Sequence, residues 1–330
     1  MIHTRALTRH FRVNRKTVVE AVRGVDIDVD EGELIAFLGP NGAGKSTTLR
    51  MLTTLLPPTS GRALVAGHDV ARDPAAVRRR IGYVGQGNSA GHYQRARDEL
   101  RSQGSAYGLR HGAARARADE LLDLLDLRDL AGRTTSTLSG GQRRRLDIAI
   151  GLVHSPDLLF LDEPSTGLDP QNRANLWEHV LRLRATAGTT VFMTTHYLDE
   201  ADTMAERVLI IDHGRIIAAG TPDRLKADLA GDVVTVTTPR PPDASRVATV
   251  AARIAPAHEV TVDGAAVRVR VPGGDAVLPD LLRVLDGEGV EVRTAEVRRP
   301  TLDDVFLHLT GRRLRDTAGA AGADHSAVAA

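Results

Sequence analysis

Gly39-Pro40-Asn41-Gly42-Ala43-Gly44-Lys45-Ser46-Thr47 fits the pattern G-x-x-x-x-G-K-[ST], and its flanks complete the pattern. Before it stands Leu34-Ile35-Ala36-Phe37-Leu38, a short unbroken apolar run of the kind buried on both faces of a parallel sheet. After it, Leu49, Leu52 and Leu56 recur at helical spacing. A strand, a glycine-rich turn and a helix together hold a phosphate. The glycines let several backbone N–H groups turn inward, and the helix brings the positive end of its dipole to the same point. Lys45 places a compact charge for the β- and γ-phosphates of a nucleotide, and the Ser46 hydroxyl suits Mg2+. A glycine-rich turn matching by chance in a chain this long has odds of about one in a hundred. Lysine otherwise occurs only at Lys16 and Lys226, with arginine at nearly every other cationic position, so the lysine at 45 stands out.

The bulk numbers bound the rest. The chain has 330 residues, more than one ordinary domain needs, and 42% are hydrophobic, enough for a sizeable core. The net charge of +1 argues against a nucleic-acid partner, which calls for a strong basic footprint. The arginine runs at 78–80, 143–145 and 298–299 read as solvated helix or loop surface. Cysteine is absent, which excludes disulfides and thiolate metal sites and fits a reducing compartment. No apolar run approaches the roughly 18 residues that span a bilayer. Met1–Val13 is polar and basic, without the apolar core of a secretory signal.

Further along, residues 91–135 are charged, Ala- and Arg-rich and helical, with an apolar face at Leu121, Leu122, Leu125 and Leu127. Leu146, Ala149, Ile150 and Val153 mark another amphipathic helix, stopping at Pro156. Leu158–Leu161 and Thr189–Thr195 read as buried strands, and Asp212-His213-Gly214 as the turn of a hairpin. Strands alternating with helices give an α/β core. After about residue 229 the order becomes β-α-β-β-α-β, the split βαβ pattern: strand 233–237, helix 244–255, two strands within 258–271 turning at Asp263-Gly264, helix 275–286, strand 290–297. A last helix starts at Thr301, with Leu302, Val305, Phe306 and Leu309 on one face. Residues 312–330 read as a disordered tail.

Two more stretches carry chemistry. Leu158-Leu159-Phe160-Leu161-Asp162-Glu163-Pro164 is an apolar strand ending in paired carboxylates. Asp162 fits the Mg2+-holding role of phosphate-loop proteins, and Glu163 the orientation and polarisation of an attacking water. Read without context, the pair is a solvated strand end. Leu138-Ser139-Gly140-Gly141-Gln142 opens the helix of Leu146; read alone it is a capping box, Ser139 with Gln142 three residues on.

In this order, however, the phosphate loop, Ser139–Gln142 and the acidic strand resemble the ABC ATPases, in which Leu138–Gln142 corresponds to the signature. The resemblance runs over residues 1 to about 225 and implies further roles, position by position. Gln86 resembles the glutamine that senses γ-phosphate and Mg2+, Ser165–Asp169 the D-loop, with Asp169 at the nucleotide site, and His196 the switch histidine. Phe11 stands where the family puts an aromatic on adenine; read alone it is a strand residue. Arg143-Arg144-Arg145-Leu146-Asp147-Ile148-Ala149 and Arg299–Gly311 resemble the daunorubicin-resistance branch. Gly87–Tyr93 departs from the family's acidic or apolar stretch, in the segment expected to touch a membrane partner.

The resemblance implies a P-loop NTPase of the ABC type over 1–228, with a helical subdomain at about 91–155, and a small α+β domain over 229–311. It implies ATP and Mg2+ as ligands and a homodimer packed head to tail around ATP. It also implies a separate multispan permease and a place on the cytoplasmic face of a bacterial membrane. Three rivals bear on the same residues. A chromosome-maintenance ATPase needs a long coiled coil between Lys45 and Ser139, a ribosomal ABC protein carries two cassettes, and a non-hydrolysing scaffold lacks Glu163 or His196. The chain has only a short helical gap, one cassette, and both Glu163 and His196; a soluble ABC ATPase driving a non-transport assembly stays as the alternative.

Overall fold

Leu34–Leu38, Leu158–Asp162 and Thr190–Thr195 are buried at every position, and they form the middle of a six-stranded sheet. The structure, a computed structural model, describes residues 1–14, 16–254 and 259–311. It divides into two compact units, Met1–Ala219 and the residues from Gly220 onward.

The first unit contains strands β1 (Ile2–Arg12), β2 (Val18–Val29), β3 (Leu34–Leu38), β4 (Ser60–Val65), β5 (His68–Asp69), β6 (Ile81–Val84), β7 (Leu158–Asp162), β8 (Thr190–Thr195), β9 (Arg207–Asp212) and β10 (Arg215–Gly220). Its helices are α1 (Lys45–Leu52), α2 (Pro74–Arg80), α3 (Ala96–Ala106), α4 (His111–Leu124), α5 (Gly140–Leu152), α6 (Pro170–Ala187) and α7 (Leu198–Met204). The main sheet has the order β10-β9-β3-β8-β7-β6, with β9, β3, β8, β7 and β6 parallel. Strands buried on both faces can read as unbroken apolar runs because helices or a second sheet cover each side. Here part of the cover is a second sheet, β2-β1-β4-β5, whose Ile2, Leu7, Val25, Ile27 and Val65 share one core with Phe37, Phe160 and Phe192.

That second sheet was not legible as strands at the chain start. Its alternation is broken in β1 by register shifts after Thr4, Leu7 and Arg9, and a bulge flips the inward set. The helix after the phosphate loop stops at Leu52, so Leu56 lies beyond it, past Thr54 in the left-handed region (φ 64). The helical stretch expected at 91–135 is α3 and α4, with Leu121, Leu122, Leu125 and Leu127 buried.

The second unit contains α8 (Pro222–Leu225), one π-helical turn (Lys226–Ala230), β11 (Asp232–Thr237), α9 (Pro241–Ile254), β12 (Glu259–Asp263), β13 (Ala266–Val271), α10 (Gly274–Gly287), β14 (Thr294–Arg298) and α11 (Leu302–Thr310). Its antiparallel sheet has the order β12-β13-β11-β14. Val234, Val236, Val267, Val269 and Val271 line the face covered by α9 and α10. The division falls before α8 rather than near residue 228, because α8 and the π turn pack with α11. The last strand starts at Thr294, later than position 290, where Val290 instead closes the end of α10 and is buried. The expected tail, 312–330, lies outside the described residues. Among them, no helix is long and apolar enough to cross a membrane.

Candidate active site

Parallel strands deliver their carboxyl ends to one edge of the sheet, and in open α/β sheets that edge is where ligands bind. Here β3 ends in Gly39–Ser46, β7 in Asp162-Glu163, β8 in His196 and β6 in Gly85-Gln86. Because β3 and β7 both pair with β8, the phosphate loop, the acidic pair and the histidine become neighbours.

The loop is packed as its glycines require. Gly42 and Gly44 have φ of 79° and 106°. A Cβ on Gly44 would lie 2.5 Å from the Ala21 carbonyl oxygen, so β2 presses directly on the loop. Gly39, Pro40, Ala43 and Gly44 are buried, while Asn41 and Gly42 are exposed. Lys45 is 4% exposed. Its Nζ donates to Gly39 O (2.7 Å) and Pro40 O (3.1 Å), and lies 3.3 Å from Glu163 Oε1. Burial lowers the Lys45 pKa, and the carboxylates of Glu163 and Asp162 offset part of that loss. Ser46 and Thr47 are half-buried on the first turn of α1.

Asp162 is 3% exposed. Its Oδ1 accepts from Ser46 Oγ (3.1 Å) and from Thr194 Oγ1 (2.6 Å). Thr194 Oγ1 also accepts from the Glu163 amide (3.0 Å). Glu163 itself has φ of 46°, a left-handed conformation that costs a non-glycine residue about 1–3 kcal/mol and clusters at functional sites. That turn aims the side chain away from Asp162 and between two basic groups, with Oε1 near Lys45 and Oε2 3.3 Å from His196 Nδ1. Burial alone raises the Glu163 pKa, but His196 and Lys45 together outweigh it and hold the carboxyl below its ordinary 4.5.

Lys45, Ser46, Asp162, Glu163 and His196 therefore form one connected cluster. Gln86 follows β6 and is exposed. Asp169 caps α6, its Oδ1 accepting from the Asn172 amide at 2.8 Å. Ser139 caps α5 with the full reciprocal box, Gln142 N to Ser139 Oγ at 3.3 Å and Ser139 N to Gln142 Oε1 at 3.0 Å. Ser139 and Gly140 are exposed, so the N-terminus of α5 is open to another molecule. Gly141 is buried, and a Cβ there would lie 2.5 Å from Asn172 Oδ1. Phe11 is 36% exposed, with the Arg9 guanidinium 4.8 Å from its ring centre. It pairs in register with Val19, on the strand whose Ala21 abuts Gly44.

The reading of 143–145 as solvated surface fails at Arg144, which is buried. Its guanidinium donates to Pro164 O (2.7 Å), Gly85 O (2.6 Å) and Asp162 O (3.3 Å), tying α5 to the ends of β6 and β7. Charge composition cannot separate such an arginine from a solvated one, although position 144 lies four residues before Ile148 and so shares its side of α5. Thr194 was also missed as a site residue. The available signal was two hydroxyl residues, Thr194 and Thr195, in an otherwise apolar strand end.

Residues 22–166 match the family described as ABC transporter, and residues 220–310 match the C-terminal domain of DrrA1-3-like ATP-binding proteins. The chain is 47% identical to the daunorubicin resistance ATP-binding protein DrrA2 of Streptomyces coeruleorubidus, covering 90% of this chain and 92% of that one. It is 43% identical to the daunorubicin/doxorubicin resistance ATP-binding protein DrrA of Streptomyces peucetius, covering 99% and 98% respectively. Among solved structures, a dimeric ATP-binding cassette in a post-hydrolysis state, bound to ADP and Pi, aligns with a TM-score of 0.62 at 25% identity. That alignment covers 67% of this chain and 98% of the other.

Proposed function

The chain belongs to the ABC transporter ATP-binding proteins, ATPases of the drug-resistance type, and on that premise we propose that it powers export of a hydrophobic, drug-like compound through a separate multispan permease. The observation that carries the catalytic part is Glu163 held between Lys45 and His196 while Asp162 faces Ser46. Two adjacent carboxylates thereby acquire two environments and two roles.

Lys45 and the amides of Gly42–Ser46 bind the β- and γ-phosphates of ATP. Ser46 and Asp162 are a hard oxygen pair at hydrogen-bond distance, the donor chemistry that Mg2+ takes alongside phosphate oxygens and water. When bound, the ion neutralises charge on the β- and γ-phosphates. Gln86 follows β6 at the same edge of the sheet, where it senses the γ-phosphate and the ion. Glu163 stays ionised, accepts a hydrogen bond from the attacking water and polarises it, and His196 holds the carboxylate in place. Phe11, with the Arg9 guanidinium over its ring, stacks on adenine, and Asp169 shapes the loop beside the neighbouring site.

The open α5 N-terminus, Ser139–Gln142, supports a homodimer packed head to tail, in which its amides and dipole meet a γ-phosphate held by the partner. ATP joins the two chains and hydrolysis separates them, and those two states drive the permease. The protein then sits peripherally on the cytoplasmic face of the membrane. The relatives' names support the class of exported compound.

The test is Glu163→Gln. It keeps the shape and removes the charge that polarises water. ATP binding should persist, phosphate release should fall by at least about a hundredfold, and an ATP-bound dimer should accumulate. Near-normal steady-state hydrolysis by the pure variant would refute the role of Glu163. For the partner, the chain should pellet with membranes only when the permease is co-expressed.

A further inference from the structure

Helix α5 carries, besides the open N-terminus, a pair of buried charged residues one turn apart that face inward. Arg144 takes the carbonyl of Gly85 at 2.6 Å. Asp147, 1% exposed, accepts at Oδ1 from the amides of Ser89 (2.8 Å) and Ala90 (3.2 Å). The two side chains therefore grip the backbone immediately before and shortly after Gln86, leaving 86–88 as an exposed bridge between fixed ends.

The grip is directional. Arg144 spends its donors on three backbone carbonyls, Gly85, Pro164 and Asp162, rather than on a carboxylate. Asp147 spends one oxygen on two amides, and its Oδ2 is buried without a hydrogen-bond partner. Burial raises the Asp147 pKa despite the two amide contacts, so the carboxyl stands there at a cost to the fold. The same role is open to an amide oxygen, because only one acceptor atom is used.

We propose that Arg144 and Asp147 are positioning residues that lock the Gln86 segment to the signature helix. The lock fixes both ends of the Gln86 bridge, so the glutamine meets the nucleotide from a set position. The inference rests on the proposed role of Gln86 at the phosphate.

The test is a mutant cycle between Gln86 and Asp147, with ATP binding and turnover measured separately on the full chain. Asp147→Ala should lower kcat by about tenfold and leave the KM for ATP within about threefold, since the phosphate loop is untouched. Asp147→Asn keeps the acceptor oxygen and should retain at least about half of the wild-type kcat. In a Gln86→Ala background, Asp147→Ala should cost less than about twofold more, because the residue acts through Gln86. A purely structural role would instead give multiplicative losses. Should Asp147→Ala not fold, Asp147→Ser, too short to reach both amides, takes its place in the cycle. Full kcat in Asp147→Ala, equal damage from Asn and Ala, or multiplicative losses would each overturn the lock. Unchanged hydrolysis in Gln86→Ala alone would instead overturn the role of Gln86, which keeps the two failures apart.

Discussion

Thr194 holds the acidic pair in place by donating to Asp162 Oδ1 and accepting from the Glu163 amide, from a position with no exposure at all. Valine has nearly the same shape and offers neither bond. Thr194→Val should therefore destabilise the fold by about 1–2 kcal/mol, measured by denaturant unfolding, because it leaves Asp162 Oδ1 with Ser46 Oγ alone and the Glu163 amide with the Thr194 carbonyl alone. It should also lower kcat, since Glu163 loses one of the two bonds that hold its strained turn. The Glu163 carboxyl makes a separate prediction. Its pKa lies below 4.5, so the stability it contributes is present above its unfolded value and is lost only as pH falls through the lowered folded value. A kcat profile should accordingly show no acid limb from Glu163 down to about pH 5. At this scale the motifs revealed which side chains carry charge: Lys45, Asp162 and Glu163 stand out in the chain. What they could not reveal is who holds those charges still, because a buried threonine and a buried arginine look like ordinary polar residues until their partners are known.

Among elements, the parallel strands were the most legible, since β3 and β7 are apolar at nearly every position and end in their functional residues. The β1–β2 hairpin was the least legible, because bulges in β1 shift the inward residues out of a simple alternation. The phosphate loop depends on that hairpin. Gly44→Ala places a Cβ against the Ala21 carbonyl and forces a side chain onto a φ of 106°. It should abolish nucleotide binding and lower stability by about 1–3 kcal/mol, read from ATP-dependent protection against thermal unfolding. In the second unit, Thr301 caps α11, accepting from the Asp304 amide while the Asp304 carboxylate reaches back to Thr301 N. Thr301→Ala should cost that unit about 1 kcal/mol in urea unfolding, with Asp304 losing part of what lowers its pKa. The capping residue was visible in sequence; its partner was less so, because aspartate stands where a box more often has glutamate or glutamine.

For the whole molecule, the two units make separable claims. The described residues beyond Gly220 contribute no phosphate loop and no acidic strand end, so a chain ending at Ala219 should still bind ATP. Loss of binding in such a chain with native circular dichroism would contradict that division. The claim that two chains share each site is tested by mixing inactive variants. Lys45→Ala removes the phosphate-loop charge. The partner lesion belongs at Gly140 rather than Gly141, because a side chain at 141 would also strike Asn172 within its own chain, whereas a Cβ at 140 meets only Leu168 Cδ2 at 3.9 Å. Gly140→Asp sets a negative charge against the γ-phosphate, which costs several kcal/mol, on the order of the like-charge penalty in a desolvated interface. Each variant alone should be inactive. In a mixed dimer one site collects both lesions and the other is intact. The control mixes wild type with the Lys45→Ala, Gly140→Asp double variant, where every mixed-dimer site carries one lesion. Phosphate release at equal total protein is the measurement. Head-to-tail sites predict activity above the sum of the parts in the first mixture, and activity below the wild-type contribution in the control. No rescue in the first mixture, with the wild-type contribution undiminished in the control, would mean that each chain completes its own site and would contradict the shared site.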